Sequence, residues 1–97
     1  PIVQKIIREL VDAVLECGHT ISVYDGEETV ITKSDNARNI LESMGHTDHD
    51  CLYWNSDDDT GMVMFVYDNE PEYVVADYST DEFTTRIVET IIEKYGQ

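Results

Sequence analysis

Thr20-Ile21-Ser22-Val23-Tyr24-Asp25-Gly26-Glu27-Glu28-Thr29-Val30-Ile31-Thr32 decides the fold. From Thr20 apolar and polar residues take up a period of two, and Asp25-Gly26 between this run and Thr29-Val30-Ile31-Thr32 is a strong short-range sign of a tight β-hairpin. Upstream the period is different. Ile2, Val3, Ile6, Ile7, Leu10, Val11, Val14 and Leu15 recur at three and four, with Gln4, Lys5, Arg8, Glu9, Asp12 and Glu16 between them. That spacing predicts an amphipathic helix, opened by Pro1 and stopped by Gly18.

Downstream, Ser34 or Asp35 is placed to cap a short second helix with Ala37, Ile40, Leu41 and Met44 on its inner face and Gly45 at its end. His46 to Asp50 reads as a polar loop, and Cys51-Leu52-Tyr53-Trp54 as a strand of β-formers. Asp57-Asp58-Asp59-Thr60-Gly61 is a turn. Met62 to Tyr67 is apolar throughout, which predicts a central strand shielded on both faces. Pro71 cannot donate to a ladder, so Asp68-Asn69-Glu70-Pro71 is another turn, and Tyr73 to Tyr78 is the fifth strand. Ser79 and Glu82 have the spacing of a capping box before a last helix carrying Phe83, Ile87, Ile91 and Tyr95. The order α-β-β-α-β-β-β-α with short connections predicts an α+β fold, in which three helices pack on a mainly antiparallel five-stranded sheet. The 97 residues form one domain in this reading, with no repeat and no linker.

Charge is the most unusual property. Against 21 Asp and Glu there are 6 Lys and Arg, for a formal charge of −15. Hydrophobic residues make up 41 %, enough for a core, so this is no acidic disordered tail. Each phosphate contact needs a cation, so direct nucleic-acid binding is disfavoured, and an anionic membrane is disfavoured for the same reason. The longest apolar run is far shorter than the roughly 20 residues of a membrane-spanning helix. Cys17 and Cys51 in a chain without a recognisable export signal predict reduced thiols and a cytoplasmic location.

No Lys or Arg occurs between Arg38 and Arg86, an interval full of carboxylates at turns and strand ends. Two readings compete: a solvated surface that serves solubility, and an anionic surface shaped for a basic partner. For the second, the candidate partner-binding residues are Asp48, Asp50, Asp57, Asp58, Asp59, Asp68, Glu70 and Glu72, with Trp54 as the aromatic anchor among Tyr53, Tyr67, Tyr73 and Tyr78.

Other chemistries find less support. His46, Asp48, His49, Asp50 and Cys51, with Cys17 and His19 joining in space, offer metal ligands but lack the paired spacing of a zinc site. Asn55, Asp57, Asp59 and Gly61 approach a calcium loop, but the glycine falls one place late and Val66 stands where the closing glutamate belongs. Neither a glycine-rich phosphate loop nor a nucleophile elbow is present, so the expectation is a protein that is not an enzyme and needs no cofactor or metal.

In size, charge and small α+β layout, with segments such as Val23-Tyr24-Asp25-Gly26-Glu27-Glu28 and Phe65-Val66-Tyr67-Asp68-Asn69-Glu70, the chain resembles the short acidic inhibitor proteins of bacteriophages and mobile elements, DNA mimics and anti-CRISPR proteins among them. The resemblance implies a binding inhibitor that occupies a basic, nucleic-acid-binding groove in the host cytosol. It carries over no individual residue. The alternatives are a homodimeric assembly module whose acidity serves solubility, and a cation-binding domain.

Overall fold

The computed structural model describes residues 2–55, 60–68 and 74–96. Helix α1 (Ile2–Glu16) precedes strands β1 (Thr20–Tyr24) and β2 (Thr29–Ser34), then helix α2 (Ala37–Glu42), strands β3 (His49–Asn55), β4 (Thr60–Val66) and β5 (Val75–Tyr78), and helix α3 (Glu82–Lys94). The sheet runs β2-β1-β3-β4-β5 with every neighbour antiparallel, so the predicted fold class and element order are the observed ones.

Antiparallel register sorts the side chains. Val23 lies opposite Leu52, which lies opposite Val63, and Ile21 lies opposite Trp54, which lies opposite Gly61. These residues point to one face, where Ile6, Leu10, Val11 and Val14 of α1, Ile40 of α2 and Val88 and Ile91 of α3 complete a single core. All three helices therefore cover the same side of the sheet, α1 between the other two. In α3 the buried stripe is Thr84, Val88 and Ile91, one position round from the predicted Phe83 and Ile87, which are only partly covered.

The hairpin closes where the sequence places it, through the four residues between Tyr24 and Thr29, with the Asp25 carboxylate accepting from the amides of Glu27 and Glu28, both at 2.9 Å. Several local expectations need correction. Asn36, not Ser34 or Asp35, caps α2, its side chain accepting from the Asn39 amide at 3.0 Å. Asp81, not Ser79, caps α3. Its carboxylate accepts from the Thr84 amide at 2.9 Å, while Ser79 closes the β5 ladder by bonding the Met62 backbone in both directions.

The apolar run also behaves differently from expectation. β4 is not shielded on both faces: Gly61, Val63 and Phe65 are buried, and Met62, Met64 and Val66 alternate with them at intermediate exposure on a face that bears none of the described helices. Central position belongs to β3, the strand paired on both sides by β1 and β4. Among the described residues no helix is long and apolar enough to cross a membrane.

Candidate protein-binding surface

Along the chain, charge divides between helical and non-helical residues. The three helices hold seven carboxylates and five of the six cations, a formal charge of −2. Strands and connections hold the other fourteen carboxylates against Lys33 alone, a charge of −13. Three of the five helix cations are also paired directly: Arg38 with Glu42 at 3.1 Å, Arg86 with Glu82 at 2.7 Å, and Lys94 with Glu9 at 2.7 Å. Glu9 is held below the usual carboxylate range by the Lys94 and Tyr95 hydrogen bonds.

At one end of the sheet the register gathers acidic connections from three separate segments. Tyr24 lies opposite Cys51, and His49 lies opposite Val66, so the hairpin loop, the entry to β3 and the exit from β4 emerge side by side. This rim carries Asp25, Glu27, Glu28, Asp48 and Asp68, with no Lys or Arg among them. Neighbouring strands are about 4.8 Å apart, so the three segments that carry these carboxylates leave the sheet side by side.

The rim is tied together. Thr47 donates from its hydroxyl to the Asp25 carbonyl at 2.8 Å, the Tyr67 amide donates to the Asp48 carbonyl at 3.1 Å, and Tyr24 donates from its hydroxyl to the Gly26 carbonyl at 3.1 Å. Gly26 has φ +99° and a Cβ there would stand 2.7 Å from the His49 ring, so glycine is required both by the turn and by the imidazole lying over it. His49 in turn bonds the Asp48 carboxylate at 2.8 Å. The Glu28 and Glu27 amides hold Asp25 below the usual carboxylate range, which keeps it charged.

The sequence-predicted site separates into three groups. Asp48 and Asp68 are exposed on this rim. Asp50 and Trp54 are corrections: both share the inner face of β3 with Leu52, at 0 % and 2 % exposure, and cannot meet a partner. Trp54 packs edge-on against Phe83 at 6.4 Å. Asp50 accepts from the Gly45 amide at 2.8 Å and the Tyr67 hydroxyl at 2.5 Å, and so anchors the rim from beneath. Burial, then the Asp50 hydrogen bond and charge, push the Tyr67 hydroxyl well above the ordinary phenol range. Asp57, Asp58, Asp59, Glu70 and Glu72 lie outside the described residues.

Sequence reasoning missed Asp25, Glu27 and Glu28, which fall outside the interval lacking Lys and Arg, and it chose Trp54 as the anchor over Tyr53, the neighbour that is exposed. Tyr53 is 44 % exposed, on the face opposite the helices. The metal-ligand cluster read from the sequence is dispersed: Asp50 turns into the core, Cys51 to the opposite face, and His46 bonds the Glu42 carbonyl at 2.8 Å. Among the described residues no three His, Cys, Asp or Glu side chains come together as a metal would need. Compared with known proteins, the chain matches no protein family, no curated sequence and no solved structure.

Proposed function

We propose that this protein is a non-enzymatic binding protein that sets the carboxylates of its sheet rim against a basic, nucleic-acid-binding surface of another protein and competes there with the nucleic acid. The observation that carries this reading is the rim: five carboxylates drawn from three segments of the chain, with no Lys or Arg among them. Acidity that served only solubility would not call for such a cluster, whereas opposed fields speed encounter and fix orientation at a complementary surface. The rim's hydrogen bonds support the same reading, because prepositioned charges lose less conformational entropy on binding.

Assembly through strand edges is the weaker alternative. β2 is irregular at two points of its pairing with β1 and has Lys33 at φ +46°, and β5 is four residues long with a further irregularity. Short, bulged and charged edges are the devices that prevent edge-to-edge pairing.

The test is competition: a basic DNA-binding protein is loaded with labelled duplex, the chain is titrated in, and anisotropy reports release. Displacement should weaken by at least about tenfold between 50 and 300 mM salt (both round figures), since counterions screen the contacts over a Debye length of about 8–10 Å. Displacement indifferent to salt, or none at the lowest salt, contradicts the reading.

A further inference from the structure

The described helices cover one face of the five-stranded sheet. On the other, two adjacent rows of paired residues run across the strands and are largely apolar: Tyr24, Cys51 and Met64 in one, Ser22, Tyr53 and Met62 in the next. Val66 extends the strip toward the rim. Cys51 is shielded by these neighbours yet lies outside the core cluster, and burial pushes its thiol up from the ordinary value, with the Asp50 and Asp77 charges adding to the effect. Tyr53 is one of three large hydrophobic residues that are exposed among the described ones.

The strip has the dimensions of a helix. It spans β1, β3 and β4, about 10 Å between outer strand axes, which matches a helix of about 10 Å diameter. The other face of the sheet already receives helices, the 15-residue α1 against β1 and α3 against β4. Methionine suits a surface of this kind, because its unbranched thioether adapts to the shape of an incoming side chain.

Charge selects the occupant. Asp77 stands at the end of the Tyr24, Cys51, Met64 row, and the acidic rim closes one end of the strip. On the opposite flank Lys33, whose amide donates to the Ser22 hydroxyl at 3.0 Å, lines the same surface as Tyr53, so among the described residues the acidic border is the β5 flank and the rim end. A helix with apolar residues on one side and Lys or Arg where it meets Asp77 and the rim satisfies the strip and its border together, whereas a second copy packed rim on rim would oppose like charges within about 10 Å, close to one Debye length. We infer that the open sheet face is the docking site for a basic amphipathic helix of the partner, an inference that rests on the proposed function and specifies the partner's contacting element.

Methionine methyl resonances test this, because Met62 and Met64 lie on the open face and Met44 in the helix-side core. Three peptides of about four helical turns are titrated into the labelled chain: a Leu/Lys amphipathic helix, a scrambled peptide of the same composition, and the same apolar face flanked by Glu. The Leu/Lys helix should shift Met62 and Met64 and leave Met44 in place. It should bind at least about tenfold tighter than the scrambled peptide and lose about tenfold with Tyr53→Ala, whose fold is checked by urea unfolding.

Equal binding of the scrambled peptide overturns the docking site and leaves the rim reading intact. Binding by neither basic peptide overturns both. Equal binding of the Glu-flanked helix overturns the basic partner, and Met62 and Met64 shifts that follow protein concentration without peptide make a second copy the occupant.

Discussion

The two faces of this sheet are made of the same strands and similarly apolar residues, yet they differ in what stands against them. Leu52, Val63 and Phe65 on the inner face are fully buried against helices, whereas Tyr53, Met62 and Met64, their neighbours along the same strands, keep part of their surface in contact with solvent. The contrast in charge follows the same division. On the helical side three of the seven carboxylates, Glu9, Glu42 and Glu82, pair with cations. At the rim five carboxylates converge without a Lys or Arg. Burial tells which face is for stability, and missing compensation tells which side is for something else.

Substitutions measure how far the faces differ. Phe65→Ala on the inner face should cost about 3–5 kcal/mol, from lost burial and the cavity left behind, while Tyr53→Ala, on the outer face of the adjacent strand β3, should cost less than about 1.5 kcal/mol. Urea unfolding of both variants gives the two values. Comparable losses would mean that the open face is itself part of the core.

A smaller effect comes from Asp81. Partial burial raises its carboxyl, but hydrogen bonds from Ser79 and from Thr84 more than offset this and hold it below the ordinary carboxylate value. A folded-state value below the unfolded one stabilises above the unfolded value, about 3.9, and that stability is lost as pH falls through the folded value. Asp81→Ala should therefore cost about 1 kcal/mol at pH 7, as loss of a helix cap does, and the gap to the native chain should narrow as pH drops below about 4. A gap independent of pH would show that the carboxylate's charge has no part in capping.

Much of this was legible in the sequence, and what was not has identifiable causes. The Asp25-Gly26 hairpin, the first helix and the apolar stretch of β4 were readable because each is a local pattern of period and turn chemistry. Asp50 was misread because charge alone suggests exposure, although its spacing from Leu52 and Trp54 puts it on their side of a strand. Met62 to Tyr67 was read as shielded on both faces because apolar side chains usually are. Here half of them line the open face. The rim escaped notice for a different reason. It is assembled from connections distant in sequence, and only the pairing of β1 with β3 brings the hairpin loop beside Asp48 and Asp68.

The most direct measurement compares two variants of equal charge in the displacement assay: Glu27→Gln/Glu28→Gln/Asp48→Asn/Asp68→Asn at the rim, and Asp12→Asn/Glu16→Gln/Glu89→Gln/Glu93→Gln on the helices. The rim variant should lose at least about tenfold in affinity and flatten the salt dependence, and the helix variant should lose less than about threefold. Equal losses would contradict the account, since they would mean that the partner senses total charge and not where the fold has placed it.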